Sequence, residues 1–132
     1  MSASAMSSID ELRRLGQAWN QAWNSRDPST LVAFFAPGST FSDPTLAGPM
    51  DGAEGITAAA TRTWSEWPHA VFEVISVTVE PPRVVIEWRT TEAHRSGLEH
   101  VLEGVDILEV VDGRVAACRS YHDTRTRFRR VP

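Results

Sequence analysis

The hydrophobic period of this chain changes once, near Pro68, and that change restricts it to few folds. Before Pro68 apolar residues recur every three to four positions; after it they alternate in twos. Helices first and a meander of strands afterwards make an α+β domain, with the helices packed on one face of an antiparallel sheet. Ser8-Ile9-Asp10-Glu11 reads as a capping box. Leu12, Leu15, Trp19, Ala22 and Trp23 then follow at helical spacing, which predicts a first helix to about Ser25. Asp27-Pro28 supplies an N-cap and a proline at the first helical position. It opens a second, short helix carrying Leu31, Phe34 and Phe35 that stops at Pro37-Gly38. Thr40 to Asp43 is extended. A third helix follows Gly52, presents Ile56, Ala60, Thr63, Trp64 and Trp67 on one face, and ends at Pro68.

Four strands are expected beyond it: Val71 to Glu80, Val84 to His94, Leu98 to Val111, and Arg114 to about Thr124. Pro81-Pro82, Arg95-Ser96-Gly97 and Asp112-Gly113 punctuate them. A curved sheet of this kind wrapped on a long helix leaves a pocket between the two. The expected organisation is a disordered lead-in over residues 1–8 and a single domain over 9–132. No apolar run approaches the length of a bilayer span, and the first residues lack the pattern of a secretory signal, so the sequence reads as cytoplasmic.

All thirteen basic residues are arginine. Without lysine there is no Schiff-base lysine, no protein-linked pyridoxal phosphate and no P-loop. The net charge of −4 argues against general nucleic-acid binding. Arg125, Arg127, Arg129 and Arg130 alternate with Thr126 and Phe128 as a solvated edge strand would. Cys118, the single cysteine, has no disulfide partner and sits among alanines and valine, as a buried inert thiol does.

One acid is out of place. On the third strand Glu99, Val101, Glu103, Val105, Ile107 and Glu109 share one face, and His100, Leu102, Gly104, Asp106, Leu108 and Val110 the other. Asp106 is thus a carboxyl on the apolar side. With a three-residue loop at Arg95-Ser96-Gly97 it lies opposite Ile86, beside Trp88. A carboxyl desolvated there is pushed towards its neutral form, a hydrogen-bond donor suited to an oxyanion. On that account Asp106→Asn, which still donates, should be milder than Asp106→Leu. The alternative is a buried aspartate that only accepts hydrogen bonds. The last hairpin leaves two registers open: a three-residue loop aligns Asp106 with Cys118, Ser120 and His122, and a two-residue turn aligns it with Arg119 and Tyr121.

Ala22-Trp23-Asn24-Ser25-Arg26-Asp27, Phe41-Ser42-Asp43-Pro44, Gly104-Val105-Asp106-Ile107-Leu108 and Asp112-Gly113-Arg114-Val115 together resemble the SnoaL-like branch of the nuclear transport factor 2-like superfamily, over about residues 9 to 128. The resemblance implies a cone of about three N-terminal helices on a curved antiparallel sheet. It also implies, by likeness to ketosteroid isomerase, a general base at Asp43, a protonated oxyanion-hole acid at Asp106, and a pocket wall of Cys118, Ser120 and His122. Trp19 stands where that enzyme has a tyrosine donor, and an indole N–H is far less acidic than a phenol. Ser120 stands where polyketide cyclases and epoxide hydrolases usually have an acid; His122, two residues on, is the candidate replacement.

Two readings follow. The first is a cofactor-independent acid/base enzyme, of isomerase, cyclase or dehydratase type, acting on a small hydrophobic ring or polyketide-like ketone. Its catalytic residues are Asp43, Asp106 and His122, and its substrate wall is Trp19, Trp23, Phe35, Trp64, Trp88, Cys118 and Ser120, with neither metal nor other cofactor. The second is a non-catalytic small-molecule-binding or dimerisation domain of the same fold. In either case the Val101, Val105, Ile107 row predicts a homodimer through the convex sheet face.

Overall fold

In a computed structural model, residues 8–125 and 127–131 are described; apart from Ser8, the expected lead-in lies outside them. Helices α1 (Ile9–Gln17), α2 (Trp19–Ser25) and α3 (Pro28–Val32) precede strand β1 (Phe35–Ser42). Then come β2 (Met50–Asp51) and the long α4 (Gly52–Glu66), and after them β3 (Val71–Glu80), β4 (Arg83–Ala93), β5 (Leu98–Val111), β6 (Arg114–His122) and β7 (Phe128–Arg130). The strand order is β2-β1-β6-β5-β4-β3, with β7 pairing β5 as well. The α+β class expected from the period change, and the cone that the resemblance implies, are the observed fold.

Three local expectations are corrected. The first helix does not run unbroken to Ser25: it steps at Ala18 (φ −88, ψ −4). The step lies between two anchored points. Gly16 is pressed so tightly on the sheet that a Cβ there would meet a Val77 methyl at 2.7 Å, and Trp19 is wholly buried. The second helix ends at Val32 rather than carrying Phe34 and Phe35. Their backbone belongs to the sheet instead, with the Val115 amide donating to the Phe34 carbonyl at 2.8 Å and Phe35 paired with Val115. Inter-strand bonds outweigh the helical spacing of three aromatic and aliphatic side chains. Finally, the sheet is mixed, because β1 runs parallel to β6. β1 precedes the meander and joins the free edge of its last strand, so no hairpin imposes the antiparallel sense.

The meander registers decide what faces the cone. β4 and β5 pair Ile86 with Asp106 and Trp88 with Gly104, as the three-residue loop implies. At the next turn Val111 pairs with Arg114 across Asp112-Gly113, both at positive φ. This is the tight two-residue turn, which alone would have turned Arg119 and Tyr121 inward. A bulge follows, with Val110 on Val115 but Glu109 on Ala117. Ala116 is the extra residue, and it restores the pairing of Asp106 with Ser120, Leu108 with Cys118 and Gly104 with His122.

Leu12, Trp19, Ala22, Leu31, Ile56 and Ala60 from the helices pack on Val84, Ile86, Leu108, Val115 and Cys118 from the sheet. The Asn24-Ser25-Arg26-Asp27 stretch ties these layers together. Asn24 mimics a neighbouring strand at Phe72, donating to its carbonyl and accepting from its amide, both at 2.8 Å. Arg26, at the left-handed end of α2, donates to the carbonyls of Trp64, Trp67 and Ala70. Trp64 and Trp67 lie at the end of α4, which leaves its last carbonyls without helical partners, and Ala70 lies just before β3. Asp27 caps α3 through the Ser29 amide.

The opposite, convex face is a ladder of ion pairs. Arg89 lies between Glu73 and Glu103, Arg83 and Arg119 share Glu109, Arg127 meets Glu103, and Arg129 meets Glu99. The basic C-terminal stretch is therefore partly an edge strand, with Arg127 and Arg129 held by glutamates; Thr126 lies outside the described residues.

Candidate functional site

Between the mouth of the cone and the sheet lies a cavity of about 70 Å³, open at one end. Trp23, Phe41, Asp43, Thr63, Trp67, Phe72, Trp88, Thr90, Leu102, Asp106, Ser120 and His122 line it. Asp43, Asp106 and His122, the three acid/base candidates, thus share one chamber. Of the expected substrate wall, Trp23, Trp88 and Ser120 line the cavity. Trp19, Phe35 and Cys118 do not: they lie behind the wall, in the core. Trp64 lines a smaller adjoining cleft, its N–H donating to the Trp23 carbonyl at 3.0 Å. Periodicity groups residues by helix face; it does not say how deep along the cone axis each one sits.

Asp106 is the floor, 3% exposed. Its two oxygens each receive an indole N–H: Trp88 donates to Oδ1 at 2.9 Å and Trp19 to Oδ2 at 2.8 Å. Ser120 sits directly opposite on β6. Burial pushes the carboxyl above its ordinary range, while hydrogen bonds from Ser120, Trp19 and Trp88 and the proximity of His122 act the other way. Every hydrogen-bonding partner is neutral, so none compensates a full negative charge in a medium that penalises it. The position of Trp19 has a consequence for its expected role: its N–H is engaged by Asp106 rather than offered to the cavity. That pairing was not visible in the sequence, although an Asp on the apolar parity beside Trp88 was a trace of the buried carboxyl it serves.

Asp43 is half-buried at the end of β1. Its Oδ1 accepts from the Thr45 backbone amide at 2.6 Å and from the Thr45 hydroxyl, the local turn an Asp-Pro pair favours. Among the described residues Oδ2 has no such donor. Arg62 of α4 donates to the Thr45 carbonyl at 3.1 Å, fixing this turn against the helix. His122 ends β6, its ring edge-on to Trp88 at 5.9 Å. Cys118 is fully buried, and burial foremost, then Asp106, pushes its thiol well up, which leaves it inert as a nucleophile.

Gly104 makes the Trp88–His122 contact possible. A Cβ there would lie 2.6 Å from Trp88 Cζ2, 2.6 Å from the Tyr121 carbonyl oxygen and 2.9 Å from His122 Cβ. Gly104→Ala is expected to lower stability by about 1–3 kcal/mol and to displace the Trp88 indole from Asp106. Urea unfolding followed by tryptophan fluorescence checks it; an unchanged midpoint would count against this packing.

Behind Trp67, which lines the cavity, runs a stack of rings. His100 lies on Trp67 at 4.0 Å and on Phe128 of β7 at 4.9 Å; burial foremost holds its imidazole below the usual range. Among the described residues no group of three His, Cys, Asp or Glu side chains is placed to hold a metal ion, and no helix is long and apolar enough to cross a membrane.

The model of the SnoaL-like domain matches residues 17–118. The chain belongs to the SnoaL-like domain family. The same cone recurs in solved structures. A protein of unknown function with a cystatin-like fold from Methylobium petroleophilum PM1 is similar, with a TM-score of 0.73 at 15% identity over 93% of this chain and 87% of that one. Another is a hypothetical protein with a ketosteroid isomerase-like fold from Catenulispora acidiphila DSM 44928, in complex with trimethylamine (TM-score 0.71, 18% identity, 83% and 85% covered). A SnoaL-like protein of unknown function from Burkholderia thailandensis is also similar (TM-score 0.71, 20% identity, 88% and 97% covered). At these identities the likeness is one of fold. No curated protein matches the sequence.

Proposed function

We propose that this SnoaL-like protein catalyses proton transfer at carbon in a small, largely apolar carbonyl compound, without a cofactor. The observation that carries the reading is the convergence of Asp43, Asp106 and His122 on one aromatic-lined cavity. Asp43 takes the proton from the carbon next to the carbonyl, and the C–H electron pair moves into the carbonyl to form an enolate. Asp106, which burial pushes towards its neutral form, donates a hydrogen bond to the enolate oxygen. The proton returns to carbon from Asp43, or is relayed by His122, which completes an isomerisation with nothing consumed. A neutral carboxyl retains an acceptor position on each oxygen, so both indole bonds are compatible with this protonation state.

Size narrows the substrate. Pockets for drug-sized ligands enclose roughly 300–1,000 Å³, so a chamber of about 70 Å³ admits one ring or a short chain unless the mouth widens. Fused multi-ring polyketides fit this reading less well than single-ring ketones. The test is hydrogen–deuterium exchange at the α-carbon of a panel of enolisable ketones, comparing the wild type with Asp43→Asn.

We also propose that the chain is a homodimer through the convex sheet face. Half-buried Val105 and Ile107 and exposed Tyr121 form an apolar strip there, set among the arginine–glutamate pairs, which could exchange partners across a two-fold axis. Sedimentation equilibrium at micromolar concentration is expected to give twice the 14.6 kDa chain mass; a monomer alone would remove the proposal.

A further inference from the structure

The charges around the cavity are one-sided. Its lining includes two carboxyl groups, Asp43 and Asp106, and no arginine. The nearby arginines are engaged otherwise: Arg26 caps helix carbonyls, Arg62 pairs with Glu66 and donates to the Thr45 carbonyl at the Asp43 turn, and Arg83, Arg89, Arg119, Arg127 and Arg129 pair with glutamates on the convex face. His122 is the one lining side chain able to carry a positive charge. Asp106 is held by neutral donors, and Asp43 by a threonine. An anionic ligand would meet the Asp43 carboxylate here, with no arginine among the described lining residues to offset it.

The remaining lining is aromatic. Trp23, Phe72 and Trp88 form a row of near-parallel rings, at 6.1 Å and 5.2 Å between successive centroids and 29° in both pairs. Phe41 and Trp67 line the same space. Phe72 is covered on both sides, so Trp23 and Trp88 end the row with one face each clear of it; such a face beside a carboxylate attracts an organic cation, through the ring quadrupole and through the acid together. The volume of about 70 Å³ favours a compact head group over an extended ring system.

We infer that the cavity is selective for a small organic cation, a tertiary or quaternary ammonium group, seated among Trp23, Trp67, Phe72 and Trp88 with Asp43 as its counter-charge. This rests on the assignment of the cavity as the substrate site and adds the substrate's charge to it. A carbonyl compound bearing such a group also places a fixed positive charge beside the enolate as it forms.

The experiment is isothermal titration calorimetry of the full chain at low salt with choline and with 3,3-dimethylbutan-1-ol, its uncharged isostere. Choline is expected to bind about tenfold more tightly or better, the range of a desolvated cation–aromatic contact. Asp43→Asn and Trp67→Leu should each narrow the gap between the two ligands. Equal affinities, tighter binding of the alcohol, or no binding of either at millimolar concentration overturns the inference. The wild-type comparison decides even if a variant fails to fold. A cation preference without α-proton exchange would remove the catalytic reading and leave this one; exchange without the preference would do the reverse.

Discussion

Asp43→Asn is expected to leave a folded protein that no longer exchanges the α-proton of its ligand. The substitution is clean because the turn needs only an acceptor at this position. Asp43 Oδ1 receives the Thr45 amide at 2.6 Å, and the amide oxygen of asparagine can do the same. What asparagine lacks is a basic oxygen, and general-base catalysis of this kind is typically worth roughly 10²–10⁴ in rate. Exchange followed by proton NMR should fall by at least about 10², with an unchanged melting temperature and nearly unchanged affinity for an uncharged ketone. Full exchange in the variant would sink the mechanism and make the pocket a binding site only.

The second large effect is at Asp106, where the structure keeps the order expected from the sequence and adds a stability cost to the milder substitution. An amide was expected to be the mild substitute because it can still donate. Two indole N–H groups already point at the carboxyl, however, from Trp19 and Trp88. Asparagine offers one acceptor oxygen and one NH₂, so one buried indole N–H would face another donor. Asp106→Asn should therefore be destabilising by about 1–3 kcal/mol, the range for one unsatisfied buried group. Asp106→Leu strands both indoles and should lose still more. Chemical unfolding checks both, and an Asp106→Asn midpoint equal to wild type would contradict the two-indole cradle.

The same carboxyl gives the stability a pH slope. Burial raises its folded-state pKa above the unfolded value, so the folded state binds the proton more readily. The contribution is full below the unfolded pKa and is lost as pH rises through the raised folded one. Relative to Asp106→Asn, the wild type should lose stability as pH rises over that window.

How much of this was legible depended on the range of the interaction. The change of period at Pro68 reported helices and strands because it reflects local alternation of burial. The parity of β5 singled out Asp106 as a carboxyl on the apolar face, and the loop at Arg95-Ser96-Gly97 correctly paired it with Ile86. Trp19 was less accessible. It was read as a donor facing the ligand, whereas its indole reaches Asp106 across 87 residues of sequence, and no pattern within one element encodes such a contact. Phe35 was misplaced for a related reason, since its strand partner Val115 lies far along the chain. Asn24 and Arg26 carried a motif whose structural duty, satisfying the edge of β3 and the end of α4, became visible only once both elements were in place.

The extra residue at Ala116 makes the chemistry of the chamber a matter of counting. It is one unpaired position between a tight turn and the pocket wall, and everything after it takes its orientation from that offset. Deleting a single codon there would let the hairpin close without the bulge, and β6 would turn over as a unit. Ser120 and His122 would go to the convex surface, and Arg119 and Tyr121 would face Asp106. A chamber whose charge is the Asp43 carboxylate would acquire a guanidinium at its floor. Relatives built on this scaffold could exchange one ligand charge for the opposite one through a length change in a loop, with no substitution in the wall itself.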